Sequence, residues 1–120
     1  MRRPLRLIAF AALSTSATAA PGPGRYDAQL CVATRATAAP SCGAARVELR
    51  DGGRVEVRVA DITYRLVLRS SQLDVLTLHG SMRIDEFSAD YAWVGDVLRF
   101  GDAAKGVVYE VRLQGLHAGR

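Results

Sequence analysis

Residues 46–59 read RVELRDGGRVEVRV. On one side of Asp51-Gly52-Gly53, Val47 and Leu49 alternate with Arg46, Glu48 and Arg50. On the other, Val55, Val57 and Val59 alternate with Arg54, Glu56 and Arg58. A period of two sends successive side chains to opposite faces of a strand, so each half has one apolar and one charged face. The glycine-rich link between them is a hairpin signal. A three-residue loop with Gly53 in the left-handed conformation sets Leu49 opposite Val55 and Val47 opposite Val57. A two-residue loop would set apolar against charged residues, so register selects the longer loop.

The same reading extends toward the C-terminus. A turn at Ser70-Ser71 sets Leu68 against Leu73, Leu66 against Val75, Tyr64 against Thr77 and Ile62 against His79. Gly95-Asp96 is a two-residue turn that sets Trp93 opposite Leu98 and Tyr91 opposite Phe100, both favourable cross-strand pairs. Trp93 and Tyr91 read as core rather than as a ligand platform. Residues 107–114, VVYEVRLQ, supply a last strand and residues 25–32, RYDAQLCV, a first. No stretch after residue 25 carries an apolar stripe at helical spacing with caps. The expectation is all-β: about eight antiparallel strands in a meander, closed as a small barrel or stacked as a sandwich. Residues 25–115 form this single domain, preceded by a short flexible segment at 20–24 and followed by a tail at 116–120.

The N-terminus reads as a secretory signal peptide over 1–19. Arg2, Arg3 and Arg6 precede an apolar core from Leu7 to Leu13, and Ala17-Thr18-Ala19 ends it with small residues. The apolar run is too short to span a bilayer as a helix. The arginine pair is a weak hint of twin-arginine export. No cysteine follows the cut to carry a lipid anchor. This places the protein in the periplasm or outside the cell, with no transmembrane segment once the signal is removed. Cys31 and Cys42 then lie in an oxidising compartment and read as a structural disulfide closing a loop of about a dozen residues.

Export changes the charge argument. The chain has 16 basic and 12 acidic residues. Three arginines leave with the signal, so thirteen basic residues stand against twelve acidic, close to neutral. The high isoelectric point is no argument for nucleic acid, and no basic stripe interleaved with aromatics supports it. The remaining charge is uneven. Residues 35–69 carry seven arginines against four acids, and residues 70–120 five basic residues against seven acids. Such polarity can orient a charged partner.

The candidate site gathers around residues 79–87, HGSMRIDEF. With a turn at Gly80-Ser81, His79 pairs with Met82 and Ile84 lies opposite Thr77. Glu86 would then point inward opposite Val75, where a bare carboxylate is costly. An extra residue at Asp85-Glu86, a β-bulge, restores Phe87 to the core. The plain reading of His79 is a rim histidine bonded to backbone or water. The sharper one makes it an acid–base or metal group working with Asp85 or Glu86. His117 is expected to be too loose to contribute. Leu76 and Leu78 lie on the other face of their strand, either covered by a second layer or forming a contact surface.

No nucleophile elbow, phosphate loop, zinc motif or Cys-x-x-Cys is present, and nothing calls for a cofactor or metal. The architecture resembles that of the bacterial lysozyme inhibitors, small secreted disulfide-stapled β-barrels. None of that family's motifs maps onto this sequence, so the resemblance implies a fold and no site. The sequence thus predicts a non-enzymatic domain that binds an unknown protein through a patch involving Leu76, Leu78 and the RIDEF bulge at 83–87, with Leu76, Leu78, His79, Asp85 and Glu86 as its binding residues. Two alternatives are an inhibitor of a secreted hydrolase such as lysozyme, with the acids of the second half facing a basic target, and a carrier of a small apolar ligand. A third rival is a hydrolase using His79 with Glu86.

Overall fold

The alternation around Asp51–Gly53 becomes two antiparallel strands that pair Leu49 with Val55 and Val47 with Val57, as the three-residue loop requires. In this computed structural model, which describes residues 20–35 and 39–117, eight strands follow one another. They are β1 (Gly24–Thr34), β2 (Ser41–Arg50), β3 (Arg54–Val59), β4 (Ile62–Leu68), β5 (Gln72–His79), β6 (Met82–Val94), β7 (Val97–Asp102) and β8 (Val107–Leu116). Each pairs antiparallel with the next, and β8 returns to β1 to close a barrel. Of the two architectures left open by the sequence, the chain adopts the barrel. The expected signal peptide lies outside the described residues. No helix among the described residues is long and apolar enough to cross a membrane.

The expected registers at Ser70-Ser71 and Gly95-Asp96 are present: Leu68 faces Leu73, Ile62 faces His79, Trp93 faces Leu98 and Tyr91 faces Phe100. Val55, Val57, Leu66, Leu73, Val75, Leu98, Phe100 and Val111 fill the interior, and Leu73 and Leu98 are 0% exposed. Toward one mouth, Phe100 stacks on Tyr109 at 4.9 Å between ring centroids and Phe87 lies 6.0 Å from Tyr109. Tyr64 meets Tyr109 edge-on. Tyr91 and Trp93, opposite Phe100 and Leu98, pack against this core partly buried.

Cys31 and Cys42 face each other in the β1–β2 ladder and form a disulfide. The two ends of the segment expected as a loop between them are strand: β1 continues to Thr34 and β2 starts at Ser41. β1 and β8 also reach one residue beyond the expected domain at each end. His117, expected to be loose, is tied down. Its N–H donates to the Arg25 carbonyl oxygen at 2.8 Å, and its Nδ1 lies 2.7 Å from Asp27 Oδ1. The β1–β8 pairing carries this anchorage to residue 117.

Gly53 sits at φ +75°, and a Cβ there would lie 2.3 Å from the Leu68 carbonyl oxygen. Gly52 has φ +80° with nothing near. Gly53→Ala should cost clearly more than Gly52→Ala in urea unfolding, at least about 1 kcal/mol for the first. Reducing the disulfide should lower stability by about 3 kcal/mol in the same assay, the chain-entropy value for so short a loop.

Candidate functional site

The β5–β6 hairpin carries a bulge, one residue earlier than expected. Phe87 faces Val75, as predicted. Asp85 faces Thr77 and Arg83 faces Leu78, so Ile84 is the extra residue. The expectation that Ile84 would face Thr77 is corrected: Asp85 takes that place. The reason is a countercharge. Asp85 sits on the inner side of the barrel mouth, where Lys105 of the β7–β8 turn meets it with Nζ 2.7 Å from Oδ2. The backbone N–H of Glu86 also donates to Asp85 Oδ1 at 2.9 Å. A neutralised carboxylate is tolerated where a bare one is not.

The five predicted binding residues all lie on the β5–β6 hairpin, with Leu76 opposite Glu86, but their polar groups turn to separate partners. His79 Nε2 lies 3.1 Å from Asp61 Oδ2 in the β3–β4 turn. Asp85 is held by Lys105, and Glu86 Oε1 lies 3.4 Å from Arg83 Nη1 on the solvent side. Each of these polar groups has its own partner, so the pairing of His79 with Glu86 is not assembled. No group of three potential metal ligands occurs among the described residues. The Lys105 hydrogen bond holds the Asp85 carboxyl below its ordinary range, and Asp85 in turn raises Lys105. Burial foremost, then Tyr64, Asp85 and Asp102, push Tyr109 up to about 12. At neutral pH Asp85 is charged and Tyr109 neutral, so neither is poised to exchange protons.

The leucines divide. Leu78, opposite Thr63 and Arg83, is buried at 8% exposure. Leu76 is half-buried between Arg65 and Glu86. Ile84, within the RIDEF bulge that the sequence reading assigns to the patch, is 51% exposed, and Met82, which that reading does not single out, is 61% exposed. The signal was there in part, since a bulge must eject one residue from the alternation. Placing the bulge required knowing that Lys105 would meet Asp85.

The chain matches no protein-family model, no curated protein and no solved structure with which it was compared.

The Asp85–Lys105 contact generates a pH signature. A carboxyl whose folded pKa lies below its unfolded value stabilises above the unfolded value and loses that contribution as pH falls through the folded one. Asp85→Asn should lower the melting temperature modestly at pH 7, because the pair is partly solvated. The wild-type and variant curves should converge as pH falls below the ordinary aspartate value of 3.8. A gap that persists unchanged in acid would point to packing instead.

Proposed function

We propose that this protein is an exported, non-enzymatic binding domain whose partner protein contacts the outside of the barrel at the β5–β6 bulge. The observation that carries the reading is Ile84, a large apolar side chain which the bulge leaves half in water beside exposed Met82. Half-buried Leu76 and buried Leu78 lie next to them in the ladder. Apolar side chains gathered by register on one hairpin of the exterior are a common mark of a contact surface.

Two further observations support a surface rather than an interior or catalytic role. The lumen is occupied by the chain's own side chains, including the Phe87–Phe100–Tyr109 stack, which favours contact over carriage of an apolar ligand. The acids of the second half are largely engaged: Asp74 with Arg69, Asp85 with Lys105, Glu86 with Arg83 and Glu110 with Arg99. That engagement leaves less negative charge for a basic target such as a lysozyme. Export is supported by the Cys31–Cys42 disulfide, which persists in oxidising compartments. The exterior also argues against a barrel set in a bilayer, since such barrels turn apolar side chains outward and polar ones inward. Here Arg46, Arg50, Arg58 and Arg65 point out.

The test is affinity capture from the host's envelope with wild type, Ile84→Asp and Leu76→Asp, with circular dichroism to check folding. A partner retained by wild type and lost by folded Ile84→Asp is expected. An unchanged set of captured proteins sinks the reading. So does an apolar ligand seen by native mass spectrometry in protein purified from its own host.

A further inference from the structure

Half a turn around the barrel from β6, the outer face of β1–β4 has a different character. The registers place its charges in rows. Arg25, Glu48, Glu56 and Arg65 stand side by side across β1, β2, β3 and β4. Arg46 faces Arg58 in the row on one side, and Arg50 faces Arg54 in the row on the other. Six arginines thus ring two glutamates. From strand geometry the ring is about 13 Å along the strands and about 15 Å across them.

This arrangement is unfavourable for the sheet considered alone. Three successive cross-strand pairs of β2 and β3 set like charges opposite one another, which destabilises a ladder. Ion pairs offset part of that: Arg50 with Glu48 at 3.1 Å, Arg58 and Arg65 with Glu56 at 3.4 and 3.5 Å, and Arg46 with Asp27 at 3.5 Å. These contacts also tether four guanidiniums. A guanidinium has five N–H donors, and one carboxylate contact leaves most of them available. Among the described residues Arg25 and Arg54 take part in no ion pair, and the face as a whole holds six guanidiniums against Asp27, Glu48 and Glu56. Two adjoining surface grooves of about 560 and 500 Å³ are lined by this ring and share Arg50, Glu56 and Arg58.

We propose that this ring docks the barrel on an anionic membrane surface, with the guanidiniums on lipid phosphates. Charge complementarity and the scarcity of apolar surface, where half-buried Val67 beside Arg54 adjoins the ring, commit the face to that partner. The strongly exposed large apolar residues, Met82, Ile84, Val94, Val108 and Leu116, all lie on other strands. A protein interface has an apolar, aromatic-rich core depleted of charge, whereas a bilayer surface presents dense phosphate to charge alone. Arginine suits that task because its fork engages phosphate by two parallel hydrogen bonds. The barrel is convex, so β2 and β3 touch the surface first and the long side chains of Arg25 and Arg65 reach it from either side. The β5–β6 bulge then faces away from the membrane, and this docking stands independently of the contact proposed there.

The test is co-sedimentation of protein purified from its host with vesicles of phosphatidylcholine, alone or with about one-third phosphatidylglycerol. Binding to the anionic vesicles only, abolished by about 0.5 M NaCl, is expected. Arg25→Gln/Arg54→Gln removes the two arginines without an ion pair, leaves the tethers intact and should weaken binding about 25-fold, at about fivefold per charge. Arg83→Gln, in the β5–β6 hairpin, should leave binding unchanged. Equal binding to neutral vesicles overturns the proposal, as does anionic binding that survives the double substitution in a folded protein. Tighter binding to soluble polyglutamate than to vesicles reassigns the face to an acidic protein and overturns it too.

Discussion

The ladder between β1 and β8 is the constraint on which the rest of this molecule depends. It runs from Tyr26 opposite Leu116 to Thr34 opposite Val107, and it turns an open meander into a tube. Without it both strands would be unpaired edges, a standing invitation to aggregation. With it, each strand has an inside and an outside, and period-two alternation sorts the side chains between them. The register shift between Asp27 and Ala28 in this ladder, like the bulge in β6, is the local irregularity by which strands accommodate curvature.

Closure also explains why chemistry is scarce in the lumen. An eight-stranded barrel is just wide enough to be filled by its own side chains. Leu66, Leu98 and Val111 take the middle, and aromatic rings take one mouth. Asp85 is tolerated at that mouth because Lys105 reaches it from the neighbouring turn. What distinguishes this barrel therefore lies outside, where a charged half and an apolar bulge occupy opposite sides.

Much of this was legible in the residues. Tight turns fix register locally, so the β2–β3, β4–β5 and β6–β7 pairings followed from glycines, serines and alternation within about a dozen residues of each other. What escaped depended on contacts between segments that no single hairpin relates. The bulge was foreseen because Phe87 had to reach the core, yet it was set one residue too late because Asp85 answers to Lys105. Asp61 lies 18 residues before His79 and meets it only because the β3–β4 and β5–β6 turns share one end of the barrel. Whether Leu76 and Leu78 are covered could not be read from the sequence, since burial on an outer face depends on neighbours from three strands. The arginine ring was half visible in residues 46–58. Its closure by Arg25 follows from one further fact: setting Cys31 opposite Cys42 sets Arg25 opposite Glu48. The disulfide carries register as well as stability.

The seam has a kinetic side. Seven ladders join strands adjacent in the chain and can nucleate as local hairpins on a microsecond scale, whereas the eighth must wait for nearly the whole polypeptide to be in place. Until that happens β1 and β8 offer bare backbone to any neighbour. A second copy's β8 would fit β1 of the first as well as the native one does, since the pairing is the same. Strand exchange between copies is thus the misassembly this topology invites, and dilution during refolding is its natural remedy.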